Sequence, residues 1–213
     1  MPVRLNGSTS GYTELSAPAV AGNNTLTLPT GNGTSGQVLS TNGSGALSWT
    51  TVTSPAVALT AATAVASTSG TSIDFTGIPS GVKRITVILQ SVSSNGSSHK
   101  LIQLGTSGGI TTSGYVCSYG YFTGAGATFS ATSGFGAYTG AGGEVQHGNA
   151  IITNISGNNW VFSYSGGVSG SVTLGAGGGG SVTLSGALTQ VRITNLNGTD
   201  TFDLGSVNIM YEG

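Results

Sequence analysis

Nearly half of this chain is Gly, Ser or Thr: 38, 30 and 30 of 213 residues. All three oppose helix propagation, Gly through backbone entropy and Ser and Thr through hydrogen bonds that compete with the helix. Only three Glu, two Lys and three Arg stand against them. Helices are therefore scarce, and short β-branched runs bounded by turn residues become the organising signal. Gly has no strict triplet period, which excludes collagen.

Charge narrows the function classes. Five Lys+Arg and six Asp+Glu make 5% of the chain, against about 25% in an ordinary domain. Five scattered basic residues cannot form the patch that neutralises phosphates, so no nucleic-acid partner is expected. No apolar run approaches the ~18 residues of a membrane span, so no membrane insertion is expected. The opening Met1–Gly7 lacks an apolar h-region, and no Sec-type signal peptide is expected. The lone Cys117 forms no intrachain disulfide and sits in no Cys/His zinc spacing. Disordered chains combine low hydrophobicity with high net charge. Here the net charge is −1 and the mean hydropathy +0.20, so the chain is able to fold. Its solubility rests on hydroxyls and amides, which salt hardly screens.

The alternation predicts strands at Ser72–Thr76, Val82–Val92, Lys100–Leu104, Tyr115–Phe122, Ala150–Ile155, Asn159–Tyr164, Ser171–Leu174, Ser181–Leu184, Leu188–Leu196 and Phe202–Tyr211. About ten short strands at this spacing predict an all-β fold, an antiparallel β-sandwich of jelly-roll type, over residues 66–213. Val82–Leu89 becomes apolar on both faces and is expected to dive into the core. Gly175–Gly180 reads as a glycine loop between the echoing Ser171–Leu174 and Ser181–Leu184. The Ala-rich Pro55–Ala66 reads as an extended linker, with a short helix as the alternative.

Residues 1–65 differ. Gln37–Thr41, Asn42–Gly45 and Ala46–Val52 read as a hairpin with Asn-Gly in its turn. The large apolar residues, among them Leu5, Leu15, Leu26, Leu28, Val38, Leu39, Leu47 and Trp49, are too few for a core. So short a segment, without cysteines or a ligand cluster, needs oligomerisation to bury them. An extended segment through which several chains bundle is the expectation.

Catalytic motifs lack their context. Gly31–Gly36 and Gly175–Gly180 match GxGxxG without a βαβ unit, and so many glycines produce such matches by chance. Gly105–Gly109 matches GxSxG, but no helix follows to form a nucleophile elbow. Asp200 and Asp203 lie close together, with turn capping as the simpler role for Asp200. No catalytic residue, metal site or cofactor is expected. The informative region is Gly105–Gly143, with 12 Gly and seven of the 15 aromatic residues. Tyr among Gly and Ser is the chemistry of adaptable binding loops, because rigid rings supply contact area at small entropic cost. Tyr115, Tyr119, Tyr121 and Tyr138 are the candidate contact residues. The alternative is that Tyr115, Cys117, Tyr119 and Tyr121 form one buried strand face.

Gly36-Gln-Val-Leu-Ser-Thr-Asn-Gly-Ser-Gly-Ala-Leu-Ser-Trp49, with its lead-in Leu26-Thr-Leu-Pro-Thr30, resembles a motif of bacteriophage tail-fibre and related virion proteins of the marine and cyanobacterial type. Ile73–Pro79, Val82–Val87 and Asn197–Glu212 resemble a C-terminal domain of the same class. The resemblance implies a homotrimer with an N-terminal attachment segment, here 1–65, contacting other virion proteins. It also implies a C-terminal receptor-binding tip, here 66–213, contacting a host surface polysaccharide or protein, in a virion assembled in the host cytoplasm. It implies no catalytic residues. A capsid decoration or tail adaptor protein is the alternative; an envelope-glycan depolymerase using Asp200, Asp203 or Glu144 and an exported adhesin are weaker ones.

Overall fold

The computed structural model describes residues 2–52, 58–124, 126–171 and 173–213. Every regular element among them is a β-strand, and the strand ladders are antiparallel. The chain divides into two compact units, Met1–Ala56 and Val57–Gly213.

The first unit holds two hairpins. β1 (Val3–Asn6) pairs with β2 (Tyr12–Leu15), and β3 (Gln37–Thr41) with β4 (Leu47–Thr51). The predicted Asn-Gly turn is present: the Asn42 side-chain oxygen accepts from the amides of Ser44 (2.9 Å) and Ala46 (3.2 Å). Thr27 braces the hairpin, exchanging backbone hydrogen bonds with Gly45 and Leu47 at 2.8 Å each. Gly45 is required there, since its φ is +89° and a Cβ would lie 2.1 Å from the Thr25 carbonyl oxygen. No described residue of this unit is buried. Leu47 is half-buried, and the exposed large apolar side chains range from 40% at Trp49 to 92% at Val20.

The second unit holds the core. Its strands are β5 (Thr60–Ala61), β6 (Val65–Ala66), β7 (Ser72–Phe75), β8 (Arg84–Ser94), β9 (Lys100–Thr106), β10 (Gly109–Ile110) and β11 (Val116–Phe122). They continue with β12 (Ala127–Ala131), β13 (Phe135–Ala137), β14 (Val145–Ser156), β15 (Asn159–Ser169), β16 (Leu174–Thr183), β17 (Gln190–Asn195) and β18 (Phe202–Glu212). One sheet runs β10-β9-β17-β7, with β13 also on β9. The larger runs β12-β11-β16-β15-β14-β8-β18-β5, with β6 also on β18. Inward side chains of both sheets form one apolar core that includes Ile102, Leu104, Val191 and Ile193 from the smaller sheet. Ile85, Val87, Ile152, Phe162 and Ile209 come from the larger. Phe135 stacks on Phe162 with centroids 4.6 Å apart. This is the sandwich-like all-β fold that the alternation predicts.

Four expectations need correction. Gly175–Gly180 is no loop. It is the interior of β16, paired on both edges with β11 and β15. Val82–Leu89 does not bury both faces: Ile85, Val87 and Leu89 are buried, while Thr86 and Ile88 are only half-buried on the outer face. The units divide at Ala56/Val57, not at 65/66, because Thr60–Ala61 and Val65–Ala66 pair with β18. Of the Ala-rich run, Pro55–Val57 lies outside the described residues; the rest holds β5 and β6 and no helix.

Candidate functional site

The region Gly105–Gly143 carries β11, β12 and β13, and its tyrosines separate into two environments. Cys117, Tyr119 and Tyr121 share the inward face of β11 by simple alternation. Tyr119 is 2% exposed, and its hydroxyl pairs with His99 Nδ1 at 2.9 Å. Gly136 makes room for it, since a Cβ there would lie 2.1 Å from the Tyr119 ring. Tyr115 is 1% exposed; its hydroxyl accepts from the Leu104 amide at 2.7 Å, and its ring meets Phe135 edge-on at 4.9 Å. Burial raises both phenols from 10 to about 12. Tyr115 and Tyr119 are therefore core residues and not contact residues, because each is sealed by its packing and by a satisfied hydroxyl.

Tyr121 and Tyr138 do come together. Their rings lie 4.6 Å apart and both are half-buried. They edge an aromatic cluster that continues through Phe129 and His99 to Tyr119. Burial, then the neighbouring Lys100 charge, lowers the His99 pKa. Such a cluster is built for packing, with only its rim open.

The carboxylates hold turns. Glu144 Oε2 accepts from the amides of Gly140 (2.7 Å) and Ala141 (3.0 Å), and Oε1 accepts from Ser171 Oγ (2.8 Å). Asp200 accepts from Asn197 Nδ2 (2.6 Å) and the Ser98 amide (3.0 Å). Those two bonds hold its carboxyl below the usual range. Asp203 is exposed. Gly105–Gly109 belongs to the hairpin turn between β9 and β10, a strand-turn-strand context.

The open feature of the region is a groove of about 490 Å³ on the outer face of the larger sheet. Ser118, Gly120 and Phe122 of β11, Thr128 of β12 and Gly177 of β16 line it. Phe122 is 73% exposed, and its ring lies over the backbone of Gly177, where a Cβ would stand 2.9 Å from Cζ. The ring thus rests against the sheet at Gly177 and is otherwise open to solvent. Phe122 is not among the four candidate tyrosines. The signal for it was parity: it is one residue out of phase with Cys117, Tyr119 and Tyr121, so it must point the other way. The Gly177 floor left no such signal, because its pairing with Gly120 is decided across the sheet.

No protein-family model matches the chain, and no similar curated protein or solved structure was found by comparison.

Proposed function

We propose that this chain is a non-enzymatic structural protein of a bacteriophage virion, a tail fibre. In this reading Val57–Gly213 contacts a host surface component. The Met1–Ala56 unit joins copies of the chain, as a homotrimer, and attaches them to other virion proteins. One observation carries the reading: the first unit has formed hairpins, but among its described residues no apolar side chain is buried. Leu26, Leu28, Val38, Leu39 and Trp49 all remain open to solvent. An isolated two-stranded hairpin is at best marginally stable in water. Apolar side chains on formed strands are stabilised when another chain covers them, at roughly 25 cal/mol per Å².

Light scattering on the full-length protein tests this, with negative-stain imaging beside it. The reading expects three times the mass of one chain and a three-fold knob on a thin stem. Replacing Leu26, Leu39 and Trp49 together by Ser should reduce the mass to that of one chain and leave the β-rich spectrum of the second unit. A monomer at all concentrations overturns the reading. A compact particle without a stem would favour the decoration or adaptor role, in which the first unit lies along neighbouring virion subunits.

A further inference from the structure

β16 is an interior strand of the larger sheet, yet it reads Leu174-Gly-Ala-Gly-Gly-Gly-Gly-Ser-Val-Thr183. Glycine weakens a strand interior, so each one needs a cause. Three of its five glycines have a cause inside the molecule. A Cβ on Gly178 would lie 2.6 Å from Tyr119 Cβ, and one on Gly180 would lie 2.5 Å from the Val116 carbonyl oxygen. Gly177 lies under the Phe122 ring, and Gly120 opposite it would meet the Ala127 carbonyl oxygen at 2.0 Å. Gly175, Gly179 and the neighbouring Gly167 have none. A Cβ on them would make only ordinary contacts, at 3.8, 3.6 and 3.6 Å, and none has a positive φ. All three lie on the outer face, where β-branched residues would favour the strand. A strand glycine that packing does not require marks a place where something outside approaches the backbone closely.

On the outer face of β16, Gly175, Gly177 and Gly179 carry no side chains and leave a shallow trough. The Phe122 groove opens at one end of the β11/β16 ladder. A second groove of about 390 Å³, bordered by Val116, Asn159 and Ser181, opens at the other. From Phe122↔Gly175 to Val116↔Ser181 the ladder is ~20 Å long. Between the grooves the floor is Gly179, flanked in register by Ser118 and Ser163. Among the described residues, no Asp, Glu, Lys or Arg points outward from β11, β12, β14, β15 or β16. An anionic polymer would find no cation here, and a basic one no carboxylate. What matches is an elongated, uncharged molecule with one apolar face for the Phe122 ring and hydroxyls for Ser118, Ser163 and Thr128.

We propose that this trough binds a linear, uncharged polysaccharide, with a sugar ring stacked on Phe122 and the chain running over Gly179. The proposal rests on the attachment reading above and assigns its ligand class and site. The test uses the labelled full-length protein on immobilised neutral glucans, mannans and galactans, with alginate and heparin as acidic controls. Phe122→Ala and Gly179→Val are compared with it, and thermal midpoints are recorded for all three. The expected result is binding to at least one neutral polymer, unchanged between about 0.05 and 0.5 M salt. Phe122→Ala should weaken it at least tenfold. Gly179→Val should weaken it equally while keeping or raising the thermal midpoint, because valine suits a strand and only the ligand loses space.

Neutral binding that survives both substitutions overturns the trough and leaves the attachment reading standing. Binding to acidic polymers alone, or to none, overturns the proposal; adsorption of the full-length protein to host cells then decides the attachment reading separately. A midpoint that falls by several degrees in Gly179→Val shows that the glycine serves the fold, and removes the premise. A lower oligomeric mass in either variant would make this face a contact between copies of the chain, which also overturns the proposal.

Discussion

At the scale of single residues, Lys100 is the most exacting feature of the core. It has no exposed surface, and its ammonium donates to Ser94 Oγ at 2.6 Å. No carboxylate bonds it directly among the described residues; Asp200 and Asp203 act on it only through space. Burial lowers its pKa from 10.5 to about 8 against those attractions. Replacing a buried charge by an apolar side chain of similar length is often stabilising. Lys100→Met should therefore raise the thermal midpoint at pH 7 by ~3 °C or more, read by calorimetry. Ser94 Oγ keeps a partner in the Gly96 carbonyl oxygen. The same lysine sets a pH dependence. Between pH 8 and 10.5 the unfolded chain holds a proton that the folded chain has released, so stability rises with pH. Tyr115, Tyr119 and Tyr164 act in the opposite sense from pH 10 to 12, where only the unfolded chain has ionised. Urea midpoints should thus climb above pH 8, peak near pH ~10 and fall beyond it. Lys100→Met should lose the climb and keep the fall; a flat profile for the unaltered protein would contradict the burial of these groups.

At the scale of elements, β16 shows how much a strand owes to its neighbours. Its inward and outward glycines alternate by parity, but their roles differ. Gly178→Val must displace Tyr119 and is expected to cost about 2–3 kcal/mol, measured by urea unfolding. Gly205, with φ +95°, answers a bulge between β8 and β18; a Cβ there would lie 2.2 Å from the Ser91 carbonyl oxygen. The strands with alternating large side chains, β7, β8, β11 and β18, were legible in the sequence, because half-buried faces leave a period of two. The strand of glycines was not. A glycine run carries no hydrophobic signal, so its strand conformation is imposed from outside by β11 and β15. The hairpin β3/β4 was legible for the opposite reason, since its turn chemistry is local to Asn42–Gly45.

At the scale of the whole molecule, the apolar side chains divide unevenly. Among the described residues, every buried large apolar side chain belongs to the second unit, and none to the first. The consequence is thermodynamic: residues 58–213 alone should unfold in one cooperative transition that does not move with protein concentration. The full-length chain should show an additional, concentration-dependent stabilisation from self-association. Differential scanning calorimetry over a hundredfold range of concentration reads both, and a concentration-independent profile for the full-length chain would remove the case for assembly through the first unit.

Composition alone determined the fold class, because so much Gly, Ser and Thr leaves helices without formers and β-branched alternation without a competitor. It also determined that the first unit lacks a core, because that follows from counting apolar residues. The candidate site was legible only as a region. Whether Tyr115 and Tyr119 face a ligand or the core depends on what lies opposite them, and Phe135 and His99 are brought there by other strands. Likewise Phe122 gains its platform only when β16 pairs beside it. Tertiary structure decided these points because exposure belongs to the space between strands, and neighbouring strands in a sheet are seldom neighbours in the chain.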